Sequence, residues 1–267
     1  MTLFIGKNCL KVEKTDSTNS YLLRLLNDDS SATALLQKKK EKFFPEGTVI
    51  ITKHQQAGRG QRDRTWESEP NKNLTFSILL YPVFLKPDEQ FMLSKSISLG
   101  IMEFVNSLIN QGSARKQILR KVKIKWPNDI YIDNKKVAGI LIENFVSGNR
   151  MQQSIIGIGV NVNQEKFSDN IPNPVSLKLI TGEEFDLDEC FFRLCPFIEK
   201  RYSCLKTNHF ENINKDYLNA LYCFGEWKNY KYKDEILSAK IIGITKIGKL
   251  ILETEKEFFL ECAFKEV

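Results

Sequence analysis

Histidine is almost missing from this chain: among 267 residues only His54 and His209 occur. Catalysis by a serine–histidine or cysteine–histidine pair needs a fixed imidazole beside its nucleophile, and nothing around either position marks one. His54 reads as a strand-end residue and His209 as a surface one. The six cysteines, Cys9, Cys190, Cys195, Cys204, Cys223 and Cys262, include no CxxC pair. With only two histidines there is then no zinc-ligand spacing, and no metal ligand is assigned. Long apolar runs are lacking as well. None approaches the ~18 residues of a membrane-crossing helix, and the start "MTLFIGKNCLKVEKTDS" has neither the basic residues, the apolar stretch nor the small-residue cleavage site of a secretory leader. These absences lead to the expectation of a soluble, cytoplasmic protein with reduced thiols and no membrane partner.

What is present is a globular composition. Hydrophobic residues make up 42% and aromatic residues 11%, enough for a substantial core and too many for a disordered chain. The formal charge of +6 points to an anionic partner without separating a nucleotide from a nucleic acid.

Periodicity places the elements. "LKVEK" (10–14) alternates as a strand does, and "TDSTNSYLLRLLND" then takes helical spacing, with Tyr21, Leu22, Leu25 and Leu26 on one face and Ser17 or Thr18 as N-cap. The lysine-rich "LQKKKEKFFPEGT" reads as a solvated helix end and loop. "GTVIITKHQ" (47–55) is a dense β-branched run and so a buried strand, and "NLTFSILLYP" (73–82) is another. Residues 87–112 predict a long helix with Pro87 in its opening turn and Gly112 after its end. "VKIKWPNDIYIDNKKVAGILIENF" predicts strand, bend and a hairpin around Asp133 to Lys136, and residues 152–164 one more strand completing the sheet. From Leu187 to about Phe224 the spacing is helical, with Phe191, Leu194, Ile198 and Leu205 on one face and Pro196 implying a kink or break. The tail becomes a series of short β-rich runs. The expected division is therefore 1–225 and a small barrel-like module at 226–267.

The stretch "QQAGRGQRDRTW" (55–66) carries the first chemical signal. Glycine lets backbone amides approach an oxyanion, arginine grips phosphate or carboxylate bidentately, and Trp66 offers a flat face for a nucleobase. In "KIKWPND" (123–129) Lys125 ends a strand beside Pro127, and it reads either as a partly desolvated cation aimed at a cleft or as a surface lysine whose stem runs past Trp126. The glycines of "GIGVNVN" (157–163) sit inside a strand, where close passage of a ligand or backbone explains them.

Together with "STN" (17–19) and "KVAGILIE" (136–143), these stretches occur in the order and spacing of the biotin protein ligases, and the chain resembles that family over nearly its whole length. The resemblance implies an α+β fold with a mixed sheet of the class II aminoacyl-tRNA synthetase type, followed by an SH3-like β-barrel. It implies an enzyme that joins biotin and ATP into biotinyl-5'-AMP and then transfers biotin to a lysine of a biotin carboxyl carrier protein, with Mg²⁺ as cofactor. Carried over position by position, Ser17, Thr18, Asn19 and Gln55 bind biotin, and Arg59, Gly60 and Gln61 form the loop that folds over biotin and adenylate. Arg64, Trp66 and Asn161 contact the nucleotide, Trp66 by stacking on adenine and Asn161 at its edge. Lys125, shared between the biotin carboxylate and the α-phosphate, works with Arg62 and Arg64 as the catalytic cations.

This chain departs from the family pattern twice. Where many members read GRGRxGR it reads GRGQRDR, so Gln61 stands for an arginine and Asp63 for a glycine. A neutral Gln61 still hydrogen-bonds but adds no charge, which weakens the expected retention of adenylate. Only 16 residues precede Ser17, too few for the winged helix of the bifunctional members, so neither DNA binding nor repression is expected. A monomer and a homodimer are equally compatible with the sequence. Two other readings stay open: a lipoate ligase or octanoyl transferase of related fold, and a noncatalytic nucleotide- or RNA-binding module.

Overall fold

A computed structural model describes residues 2–27, 44–61, 64–110, 120–232, 235–255 and 259–262. Arg62, Asp63, Gly112 and the lysine-rich residues 36–43 lie outside the described residues.

Strand β1 (Cys9–Thr15) leads into helix α1 (Thr18–Asn27), and β2 (Val49–Gln55) into a small hairpin of β3 (Gly58–Arg59) and β4 (Thr65–Trp66). Next come β5 (Leu74–Leu80), a 3-10 turn at Pro87–Glu89 and α2 (Gln90–Ile109). Strands β6 (Val122–Lys125), β7 (Asp129–Ile132), β8 (Lys135–Ser147) and β9 (Arg150–Val160) follow. They form one seven-stranded sheet in the order β1-β2-β5-β9-β8-β7-β6, parallel only between β1 and β2. The strand read as the last of the series, β9, thus lies in the middle, hydrogen-bonded to β5 and β8.

Strand alternation sorts the sheet into two faces. Phe76, Ile78, Leu80, Ile156, Ile158, Ala138 and Ile140 join the main core with α2 and with α4 (Leu187–Lys206) and α5 (Phe210–Ala220). The opposite face carries Leu79, Ile50 and Ile155, which pack against Leu22 and Leu25 of α1. On that same face, at odd positions of the neighbouring strands, stand Thr75, Ser77, Gly157, Gly159, Gly139 and Glu143. A two-residue period therefore puts an apolar core on one side and a polar, glycine-paved floor on the other.

The helical layer differs from expectation at Pro196. Residues Leu187–Lys206 form one unbroken helix with Pro196 inside it. A proline removes one backbone hydrogen bond, but Phe191, Leu194, Cys195 and Ile198 are buried on either side, and α2 comes so close that a Cβ on Gly100 would stand 2.9 Å from Ile198 Cα. Packing holds a helix that local propensity would interrupt. A short α3 (Leu177–Thr181), capped by the Ser176 hydroxyl on the Leu179 amide, was not anticipated.

Strands β10 (Trp227–Tyr232), β11 (Glu235–Ile244), β12 (Leu250–Thr254) and β13 (Phe259–Cys262) make a separate four-stranded antiparallel sheet. Its Ala239, Ile241, Leu250 and Leu252 belong to the main core cluster. Trp126 Nε1 donates to the Gly248 carbonyl at 2.9 Å, and Lys246 pairs with Asp88 at 2.6 Å. These contacts seat the sheet beside the Trp126–Pro127 turn, so that it closes one side of the glycine-paved face. All six cysteines are free, and burial raises the thiols of Cys190 and Cys195 to about 11 and about 12. Among the described residues no helix is long and apolar enough to cross a membrane.

Candidate active site

A cavity of about 1030 Å³ opens over the polar face of the sheet. Ser17, Thr18, Asn19, Gln55, Arg59, Gly60, Gln61, Arg64, Trp66, Lys125 and Asn161 all line it, so every described site residue expected from the sequence converges on one place.

The α1 end is a closed hydrogen-bond network. Gln55 Oε1 accepts from the Thr18 amide at 2.9 Å, which ties the end of β2 to the first turn of α1. The Ser77 hydroxyl lies 2.5 Å from Asn19 Oδ1 and 2.7 Å from Thr18 Oγ1. Asn19 Oδ1 only accepts, so the Ser77 proton goes there and the Thr18 hydroxyl donates in turn to Ser77. Asn19 Nδ2 gives one proton to Glu143 Oε2 at 2.7 Å and faces the Leu141 carbonyl at 3.4 Å. Gly157 makes room for this asparagine, whose Cγ would lie 3.0 Å from a Cβ there.

The other end is unfinished. The Trp66 indole lies on the sheet over Gly139 and Gly159, which face each other across β8 and β9. A side chain at either glycine would collide with the ring, so the two glycines create the stacking surface. Trp66 Nε1, Thr75 Oγ1, Asn161 Oδ1 and Gln61 Oε1 are buried with no hydrogen-bond partner among the described residues. Buried polar atoms are nearly always paired. Four unpaired ones around a single cavity mark places where a polar ligand completes the bonding.

Charge is concentrated here as well. Lys136 Nζ sits 5.6 Å from the Trp66 ring centre and 2.8 Å from Asp129. Lys125 Nζ lies 5.1 Å from the ring of Tyr131, and burial, with Asp129 adding to it, pushes the Tyr131 phenol up to about 12. Lys228 and Lys231 reach the rim from β10, while Glu67 and Asp129 are the carboxylates in the lining. The cavity is therefore built for an anion.

A family model described as the biotin/lipoate A/B protein ligase family matches residues 25–161. The chain belongs to that family. It is 33% identical over 219 residues to the bifunctional ligase/repressor BirA of Bacillus spizizenii, covering 79% of this chain and 63% of that protein. It is 28% identical over 219 residues to the biotin–[acetyl-CoA-carboxylase] ligase of Paracoccus denitrificans, covering 80% of each. The chain thus spans less than two thirds of the Bacillus relative. A solved biotin protein ligase from Aquifex aeolicus in complex with biotin and ATP superposes with a TM-score of 0.72 at 25% identity over 97% of both chains.

Within this family frame the structure corrects the exposure expected of Lys125. Lys125 is exposed rather than partly desolvated, its ammonium 5.1 Å from the Tyr131 ring at the lining of the cavity. Lys136 is the more enclosed lysine, its side chain 23% exposed, and spacing alone did not single it out. Arg59 is engaged by Glu143 through both carboxylate oxygens, at 2.9 and 2.8 Å. Ser77, Thr75 and Glu143 were also missed. Their signal was the two-residue period of β5 and β8, which places them on the same face as Gly157 and Gly139.

Proposed function

We propose that the chain is a biotin protein ligase: it condenses biotin with ATP to biotinyl-5'-AMP, releasing pyrophosphate, and passes the biotinyl group to a lysine of a biotin carboxyl carrier protein. The observation that carries this reading is the cavity with one end closed by its own hydrogen bonds and the other lined by unpaired buried atoms beside a tryptophan on glycines. The naming of its relatives as biotin ligases supports it.

In this reading biotin enters the α1 end beside Ser17, where the preformed network of Thr18, Asn19, Gln55 and Ser77 holds the pocket walls in place. Adenine takes the end at Trp66, and its polar edge satisfies Asn161 Oδ1 and Thr75 Oγ1. In the first step a carboxylate oxygen attacks the α-phosphorus, and the bond to the β-phosphate breaks with its electron pair leaving on pyrophosphate. Lys136, Lys125, Arg64 and, from the motif, Arg62 stabilise the charge that moves onto the leaving group. In the second step a neutral lysine amine attacks the acyl carbon and AMP departs with the electron pair of the broken C–O bond. The loop of Arg59 to Arg64 excludes water, which protects the mixed anhydride from hydrolysis.

Magnesium fits as an ion carried in by the nucleotide, because among the described residues no three carboxylate, cysteine or histidine side chains converge, and phosphate oxygens with one or two carboxylates suffice for it. Asp129 or Glu67, the carboxylates in the lining, would contact it, and the ion would supply charge neutralisation on the phosphates. Residues 1–225 are taken as the catalytic unit and 226–267 as the module at its mouth.

Incubation with biotin, Mg-ATP and a carboxyl-carrier domain tests the proposal, with biotinyl-lysine read by mass. Biotin-dependent ATP–pyrophosphate exchange is the expected partial reaction. Exchange driven by lipoate or octanoate instead would transfer the assignment to the lipoate branch of the family, and no exchange with any acid would leave a binding module.

A further inference from the structure

Glu143 does not line the cavity, yet it touches two residues that do. Its Oε2 accepts from Asn19 Nδ2 at 2.7 Å, and both its oxygens accept from the Arg59 guanidinium. Asn19 belongs to α1 and Arg59 to the β3–β4 hairpin, so three distant stretches of chain meet at one carboxylate. We propose that Glu143 is a positioning residue that couples the pocket wall to the glycine-rich loop, making closure of the loop and shaping of the biotin pocket a single event. The part concerning biotin rests on the function proposed above.

The hairpin needs such a tether. Its strands pair at Gly58↔Trp66 and Arg59↔Thr65, with the Gly60 amide donating to the Arg64 carbonyl at 2.6 Å, and a two-stranded ribbon of that length is not stable alone in water. Its contacts with the sheet include the Trp66 ring on Gly139 and Gly159, and Arg59 on Glu143. The second contact is partly exposed, with the Arg59 and Glu143 side chains 44% and 28% accessible. A pair this exposed adds little to global stability, but it can still shift the open-to-closed balance of a short hairpin held to the sheet at its edge. The same carboxylate fixes the orientation of Asn19: with Nδ2 held by Glu143 and Oδ1 by Ser77, the amide cannot flip. Loss of the Arg59 contact frees Glu143 to move, and Asn19 with it.

Glu143→Gln separates these roles, because an amide oxygen still accepts from Asn19 while the charge that holds Arg59 is gone. In the ligand-free protein, amide hydrogen exchange of the β3–β4 hairpin should speed up by roughly 3- to 10-fold in Glu143→Gln and in Arg59→Gln, and the double variant should be no faster than either single one. Multiplying effects in the double variant, or unchanged exchange in the singles, would overturn the coupling. With biotin, Glu143→Gln should speed dissociation by a similar factor while kcat at saturating substrate stays within about twofold and the KM for ATP does not move. Raised ionic strength should accelerate biotin dissociation in the parent but not in Glu143→Gln, since only the parent has the pair to screen. A fall in kcat with an unaltered biotin off-rate would place Glu143 elsewhere in the reaction and overturn the proposal. If the parent binds no biotin at all, the functional assignment fails, and the exchange measurement still decides whether Glu143 holds the loop.

Discussion

At the end of the cavity beside α1, each polar side-chain atom of Asn19 has a partner within the protein, whereas in the loop and above Gly159 the side chains of Gln61, Trp66, Thr75 and Asn161 each bury an atom that has none among the described residues. The difference separates two ways of building a binding site. A closed network is preorganised: little ordering remains to be done when the ligand arrives, so affinity is gained by avoiding that cost. An open set of donors and acceptors leaves the ligand to complete the bonding, so the protein gains most from the ligand that carries matching atoms. In the proposed function the first suits a small, rigid ureido ring, and the second a nucleotide.

The most enclosed lysine of the cavity is Lys136, which pairs with Asp129 and lies over Trp66. Lys136→Ala should therefore produce the largest effect, a loss of adenylation rate on the order of 100- to 1000-fold, the usual result of deleting a preorganised charge from a reaction centre. Single-turnover formation of the adenylate measures it. The exposed Lys125, changed in the same way, should lose at least tenfold less. Equal losses would return Lys125 to the position between the two anions that the family resemblance gives it.

The two strand glycines test the comparison directly. A methyl at Gly157 meets Asn19, which is held from three sides and cannot give way, so Gly157→Ala should weaken biotin by about 10- to 100-fold and leave ATP binding unchanged. A methyl at Gly159 meets the Trp66 indole, which can lift away with its hairpin, so Gly159→Ala should weaken ATP instead. Calorimetric titration of each variant with each ligand gives the four numbers. If both variants lose the same ligand, the cavity has no such division.

How much of this could be read from the sequence depended on whether a residue acts through its own chemistry or through its position. Trp66, Asn161, Gln55 and the STN turn were legible because their residue types and order carry the signal, and the strands were legible from their β-branched runs. Glu143 and Ser77 were not, although both sit inside stretches already read as strands. Their role comes from facing α1 and the loop, and facing is settled by the register of β5, β9 and β8 in the sheet. The path of α4 through Pro196 was illegible for a related reason, since the contact with Gly100 that sustains it is nonlocal. The same limit explains Lys125 and Lys136: lysines of β6 and β8, the two strands that flank β7, are equal in the sequence until the fold sets how far each is enclosed, although both line the cavity.

Removing the tryptophan sharpens the unfinished end. Trp66→Ala takes away the stacking surface and one of the contacts that hold the hairpin, so ATP affinity should fall roughly tenfold, as expected for one lost base–aromatic stack. Biotin measured without nucleotide should bind almost as before. An equal loss of both ligands would mean that the ring holds the loop in place more than it holds the base.

The smallest effect is expected at Gln61, and it isolates charge from bonding. Gln61 Oε1 is buried without a partner among the described residues, and the adenylate that would lie beneath the loop is an anion with acceptors of its own. Two acceptors facing each other give nothing, so at present only the amide NH₂ of Gln61 can help. Arginine at this position has donors alone and carries a charge. Gln61→Arg should slow release of biotinyl-AMP by about 3- to 10-fold, the worth of exchanging a neutral for a charge-assisted hydrogen bond at a partly exposed site. Gln61→Leu provides the control, because it removes the unpaired oxygen and adds no charge. If leucine slows release as much as arginine does, relief of the buried oxygen explains the effect; if arginine releases adenylate as fast as the parent, residue 61 does not face the phosphate, and the loop holds its ligand through Arg64 and the Arg59–Glu143 pair instead.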